Sequence, residues 1–422
     1  MKFLVKKSKL SGELEVPPSK SHTIRAVVIA SLADGESVIR NPLNSLDTQA
    51  AVDVYRAFGA EITTGDLWKV IGTKGKPTLP KDVVNTANSG TTFYIALSTA
   101  ALVEGYTTLT GDEQTQSRSA EPLIKSLRDL GAVVQSASES GLPPITVKGK
   151  IRGGRTSLRA VASQYLTSLL LNCPLAEGDT EIKITELNER PYVEMTLYWL
   201  RQQGIKYEHD PEMTVFSVPG GQSYSGFDQR IAGDFSSATF FLVAAAITGS
   251  EVTFRGLDMN DPQGDKAVVS MLERMGAEVK VGSGQLVLKG HPLHGTDIDM
   301  NATPDALPAM AVAASFAEGT SRLLNVPQAR LKETDRIRVM CEELTKMGGK
   351  VEELPAGLVI SGTPLTGAKV HGRRDHRVVM ALAVAGLAAD GVTEIDTAEA
   401  AAITFPDFLP KIRSLGANIE EI

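Results

Sequence analysis

Along the chain, helical stretches of mixed polarity repeatedly end in a glycine, usually after a bulky apolar residue, and a short alternating run follows. The instances are Ala57-Phe58-Gly59-Ala60, Leu130-Gly131-Ala132, Gln203-Gly204-Ile205, Met275-Gly276-Ala277, Met347-Gly348-Gly349 and Leu415-Gly416-Ala417. Their glycines are 72, 73, 72, 72 and 68 residues apart. Glycine in that place supplies the left-handed residue that ends a helix and turns the chain into a strand. A second series runs out of phase with the first. Here the helices are apolar on nearly every face, as over 238–247 and 378–389, and close at Gly35, Gly105, Gly178, Gly249, Gly319 and Gly391. The spacings are 70, 73, 71, 70 and 72. A helix apolar all round is buried on every side. Two series in step at one period predict a small α/β unit of two helices and several strands, repeated six times.

Six units divide into two groups of three. The break is expected in the Gly- and polar-rich stretch 224–233. Residues 2–16 read as strand and come one unit too early to belong only with their neighbours, so they are expected to cross to the second group. The expected organisation is an inserted domain, 17–230, and a discontinuous domain, 1–16 plus 231–422, with a two-strand hinge and a ligand cleft between them.

Composition narrows the choice of function. At 42% hydrophobic and 22% charged residues the chain can build packed cores, which excludes a disordered protein. Lys and Arg number 43 against 50 Asp and Glu, a formal charge of −7, which argues against nucleic acid or an anionic membrane as partner. No run of 18 apolar residues occurs, and residues 1–16 hold no stretch apolar enough for a signal peptide, so a cytoplasmic protein is expected. Two cysteines, Cys173 and Cys341, in apolar helical text suggest neither a metal site nor a disulfide framework.

Chemistry gathers where the buried helices begin. The openings are Ser19-Lys20-Ser21-His22-Thr23-Ile24-Arg25, Asn88-Ser89-Gly90-Thr91-Thr92, Ser163-Gln164, Gly233-Asp234-Phe235-Ser236-Ser237, Pro304-Asp305 and Asp375-His376-Arg377. Ser, Asn and Asp there are ordinary N-caps. Capping does not account for Lys20, Arg25 and Arg377, because a cation at a helix start opposes the macrodipole unless an anion lies between. The helix starts therefore predict an anion-binding cleft. The run Arg330-Leu331-Lys332-Glu333-Thr334-Asp335-Arg336-Ile337-Arg338 leads into an amphipathic helix. It reads either as a solvated helix face or as Lys332 and Arg336, one turn apart, on a common anion with Glu333 free for proton transfer.

With Arg190-Pro191-Tyr192, Lys332-Glu333-Thr334-Asp335-Arg336, Asp375-His376-Arg377 and Thr404-Phe405-Pro406 in order behind the helix openings, essentially the whole chain resembles the enolpyruvyl transferase family. The resemblance implies an α/β fold, a two-domain inside-out α/β barrel of six βαβαββ units, three per domain. It implies transfer of the carboxyvinyl group of phosphoenolpyruvate to the 5-hydroxyl of shikimate 3-phosphate, with no metal and no organic cofactor, and a monomer is expected. Residue by residue, Asp305 matches the base on the acceptor hydroxyl and Glu333 the acid toward the phosphoenolpyruvate methylene. Lys20 matches a catalytic contact to both substrates. Gly90, Arg118, Gln164, Arg336 and Arg377 match phosphoenolpyruvate contacts. Ser21, Arg25, Ser163, Gln164, Asp305 and Lys332 match contacts to the phosphorylated acceptor. Four positions depart from the family pattern: Tyr94 replaces Arg, Ile403 replaces Lys, and Ala162 and Glu189 each replace Ser. Glu189 is expected to pair with Arg190 or to turn to solvent; otherwise the acceptor carries no phosphate there. A different cyclic alcohol as acceptor, and a non-catalytic metabolite-binding paralogue, remain open at this point.

Overall fold

The computed structural model describes residues 1–282 and 284–422. The period becomes six four-stranded sheets among the described residues. The unit built on Asp297–Asp299 shows the pattern. That strand runs parallel to Thr320–Leu324 after a crossover through helix Leu307–Ser315. Helix Arg336–Lys346 then leads to the antiparallel pair Lys350–Leu354 and Gly357–Ser361, the latter closing on Thr320–Leu324. All six glycines of the first series have positive φ, from 67° to 117°. In the second series Gly178 alone does not. There helix Ser163–Asn172 passes into the 3-10 turn Cys173–Leu175, whose Pro174 lacks the N–H needed to continue a helix.

Two compact units result, Lys20–Ile231 and Met1–Ser19 with Ala232–Ile422. Each closes its three sheets by borrowing strands from the ends of its own chain segments. In the inserted unit, Asp228–Arg230 supplies the parallel partner of Glu36–Arg40. In the discontinuous unit, Ser11–Glu15 pairs parallel with Glu251–Arg255, and Phe3–Lys6 inserts antiparallel between Val392–Asp396 and Asn418–Glu421. Residues 17–19 stay with this unit because they run beside 232–234. Ser19 N donates to Ala232 O at 2.8 Å and Asp234 N to Pro17 O at 2.8 Å.

The long helices are buried as their composition requires. Helix Phe235–Ile247 hides every residue from Phe235 to Ala246, and His376–Gly386 is buried along its whole length. Their apolar side chains supply a large share of one core, while helices Lys20–Leu32, Gly90–Ala100 and Ser163–Asn172 supply that of the other. Such burial stabilises by about 1.5–3 kcal/mol per large apolar side chain. Among the described residues no helix is long and apolar enough to cross a membrane.

Candidate active site

In the discontinuous unit the helix starts converge on one guanidinium. Asp335 caps helix Arg336–Lys346 by accepting from Arg338 N at 3.0 Å, which sets Arg336 in the first turn, 1% exposed. Its Nη1 donates to Asp305 Oδ1 at 2.9 Å, its Nη2 to Glu333 Oε2, and its Nε to Asp375 Oδ2 at 2.9 Å. Asp375 is itself the cap of helix His376–Gly386 and accepts from Arg377 N at 2.9 Å and Thr334 Oγ1 at 2.9 Å. Arg377 Nη2 donates to the second oxygen of Asp305 at 2.8 Å. Asp305, in the 3-10 turn Pro304–Ala306, is thus held between two arginines.

The charges fit this geometry. Burial lowers the pKa of Arg336, but Asp375, Glu333 and Asp305 outweigh it and the net direction is up. Burial raises that of Asp375, and Arg336 turns it downward. Two cations at helix starts are tolerated because carboxylates sit against them. A further carboxyl, Asp265, accepts from Ser236 Oγ and is pushed up to about 7, first by burial and next by Asp305, with Arg377 opposing. No spacing or motif in the sequence marked Asp265; its only signal is a place in the polar stretch before helix Ala267–Met275.

One expectation for the charged run fails. Lys332 does not lie one helical turn from Arg336, because the helix starts only at Arg336 and Lys332 is extended, with φ −85° and ψ −156°. Nor is Glu333 unengaged, since it accepts from Arg336.

In the inserted unit, Lys20 starts helix Lys20–Leu32 and donates to Asp47 at 3.0 Å. Arg25, further along the same helix, is buried. Its donors reach Thr196 Oγ1 at 3.0 Å, Ser21 O at 3.0 Å, Thr167 Oγ1 at 3.4 Å and Tyr192 O at 3.0 Å. Burial lowers its pKa to about 10. Gly90 and Arg118 are brought together: a Cβ at Gly90 would lie 2.7 Å from Arg118 Nη1, so only glycine leaves that guanidinium its place. Gln164 has a buried Oε1 without a hydrogen-bond partner.

Glu189 takes neither expected course. Arg190 turns to Glu212 O. Glu189, 1% exposed and left-handed at φ 58°, aims its carboxylate at the uncapped start of helix Ser163–Asn172. Its Oε2 accepts from Ser163 N at 3.1 Å and Ser163 Oγ at 2.6 Å. With Ala162 unable to cap, the glutamate does so from a distance. Tyr94, in place of Arg, is buried with its ring 4.9 Å from that of Tyr165, and both hydroxyls donate to Ser119 O, at 3.3 and 2.7 Å. Ile403, in place of Lys, ends the 3-10 turn Ala398–Ile403 and packs on the core.

The chain matches, over residues 4–412, the family model described as EPSP synthase (3-phosphoshikimate 1-carboxyvinyltransferase). It is 53% identical over 419 residues to the 3-phosphoshikimate 1-carboxyvinyltransferase of Ruminiclostridium cellulolyticum, covering 99% of each chain. With the protein of that name from Acetivibrio thermocellus it shares 54% over 420 residues, again 99% of each. Among solved structures, EPSP synthase from Acinetobacter baumannii superposes with a TM-score of 0.81 at 27% identity, covering 99% of both chains. The fold is therefore shared with the solved synthases.

Proposed function

Because the chain belongs to the EPSP synthase family, we infer that it transfers the carboxyvinyl group of phosphoenolpyruvate to the 5-hydroxyl of shikimate 3-phosphate and releases phosphate. The acceptor oxygen adds to C2 of phosphoenolpyruvate while C3 gains a proton, giving a tetrahedral ketal. Loss of a C3 proton and of phosphate then forms the enol ether. Asp305 takes the hydroxyl proton and Glu333 delivers the proton to C3, work that needs an acid and a base at fixed positions. Arg377 donates to the phosphoenolpyruvate carboxylate, and Arg336, whose Nε and both Nη atoms already meet Asp375, Asp305 and Glu333, joins it by exchanging one of these carboxylates for that of the substrate. Lys20, Gly90, Arg118 and Gln164 complete the contacts to that substrate. Ser21, Ser163, Gln164 and Lys332 take the acceptor, and Arg25, its donors largely engaged, acts on it mainly through charge. The protein is read as a cytoplasmic monomer.

The observation that carries this reading is Arg336 holding both Asp305 and Glu333 on its two Nη atoms. A protein that only binds a metabolite needs no acid and base fixed to one guanidinium. The test is phosphate release from phosphoenolpyruvate with shikimate 3-phosphate, run beside plain shikimate. Release that depends on the phosphorylated acceptor is expected. Faster release with shikimate would reassign the acceptor, and binding without release would leave a metabolite-binding protein.

A further inference from the structure

Two turns along the helix that starts at Arg336 lies a carboxylate which the proton transfers above do not use. Glu343 follows Arg336 by seven residues on helix Arg336–Lys346, so the two side chains leave the same face. Its side chain has no solvent exposure. Oε2 accepts the backbone N–H of His371 at 2.9 Å, and Lys346 Nζ donates to both oxygens at 2.9 and 2.8 Å. Arg373 Nη2 adds a contact to Oε1 at 3.3 Å. A buried carboxylate supplied with this many donors is fixed in position.

The segment it grips is held from the other side as well. Asp396 pairs with His371 Nδ1 and accepts from Gly372 N at 3.0 Å, while Thr397 Oγ1 accepts from Arg374 N at 3.1 Å. Between these anchors Arg373 and Arg374 are both left-handed, at φ 56° each. Residues other than glycine keep that conformation only when their surroundings enforce it. The turn has no slack, since a Cβ at Gly372 would stand 2.4 Å from Val379 Cγ2. The next residue is Asp375, which receives Arg336, and two further on is Arg377, which holds Asp305.

We propose that Glu343 is a positioning residue: with Asp396 it clamps the strained turn 372–374, and so aims Asp375 at Arg336 and Arg377 at Asp305, which sets the affinity for phosphoenolpyruvate. Helix Arg336–Lys346 then holds segment 371–377 at two points, Arg336 at its start and Glu343 two turns later. The link to substrate affinity rests on the functional reading above; the clamp itself does not.

The test combines steady-state kinetics with amide hydrogen exchange on Glu343→Gln and Glu343→Ala. The Michaelis constant for phosphoenolpyruvate should rise about three-fold in the Gln variant and about ten-fold in the Ala variant, with that for the acceptor within about two-fold. Exchange should quicken over 372–378 and stay unchanged over 20–32. An unchanged constant for phosphoenolpyruvate, or an equal rise in both constants with faster exchange throughout, would overturn the proposal. Should Glu343→Ala not fold, Glu343→Gln decides, because its amide oxygen can still accept from His371 N. Exchange is read on the free protein. If the parent releases no phosphate, the functional reading falls, and unchanged exchange over 372–378 would separately overturn the clamp.

Discussion

In unit Lys20–Ile231 the long helices meet through neutral polar groups. Ser98 pairs with Ser168 at 2.5 Å, Thr99 donates to Asn172 at 3.0 Å, and Tyr55 and Thr99 share a bond of 2.9 Å. Even the buried cation there, Arg25, is met by hydroxyls and carbonyls. In the other unit the matching helices Phe235–Ile247, Leu307–Ser315 and His376–Gly386 are mostly Phe, Ala, Val and Leu along their bodies. Its ions crowd at the helix starts, where Arg336 alone touches three carboxylates. One architecture thus accepts two kinds of polar interior. A neutral seam needs only matched hydrogen bonds, whereas an ionic cluster needs every partner present to offset desolvation. The proposed base and acid, Asp305 and Glu333, lie in the second kind.

The largest effects should fall on that cluster. Glu333→Gln and Asp305→Asn are each expected to lower turnover by about 10²–10⁴-fold while substrate binding survives. Near-parental turnover in either variant would show its carboxylate to be structural.

Stability separates the two buried arginines next. Arg336→Met removes the cation that three carboxylates share, of which Asp305 keeps Arg377, and should cost about 3–5 kcal/mol. Arg25→Met leaves only hydroxyls and carbonyls unmatched and should cost about 1–3 kcal/mol. Denaturant unfolding of both variants checks this order, and equal losses would erase the distinction between the units.

A pH effect follows from Asp265. Its folded pKa of about 7 exceeds the ordinary 3.8, so between about pH 4 and 7 the native state holds the extra proton and stability falls as pH rises. Asp265→Asn should remove that fall and be more stable than the parent at pH 8 by about 1–3 kcal/mol, with the gain fading toward pH 4. Thermal unfolding across this range measures it.

The smallest expected change is at Glu189. Its carboxylate occupies Ser163, which is assigned to the acceptor, so a phosphate there must displace it. Glu189→Ser should lower the Michaelis constant for shikimate 3-phosphate by about ten-fold and cost about 1 kcal/mol of capping. No change in that constant would mean that the acceptor phosphate binds clear of Ser163.

The repeat was readable because its glycines carry a backbone requirement. Each of the first series ends a helix in the left-handed region, and periodicity exposes that without a structure. The buried helices were readable for the same reason, their polarity being local. What could not be read was the direction of long side chains. Arg25 sits in a helix start like Lys20, yet turns inward to helices Ser163–Asn172 and Arg190–Gln202, which lie far along the chain. Lys332 and Arg336 looked like neighbours on one helix, and only Asp335 as cap fixes the start between them. Glu189 depends on a left-handed backbone that nothing in the sequence around it announces. Asp265 reaches the site through burial against Ser236, a contact of tertiary packing alone.

The central claim is that Glu333 and Asp305, held on Arg336, run an addition–elimination in which C3 of phosphoenolpyruvate is protonated and later deprotonated. The direct measurement is turnover in deuterated water with mass analysis of the vinyl product. The account predicts solvent deuterium in the product methylene of the parent enzyme, at a rate that collapses in Glu333→Gln. Phosphate release with no deuterium in that methylene would contradict it.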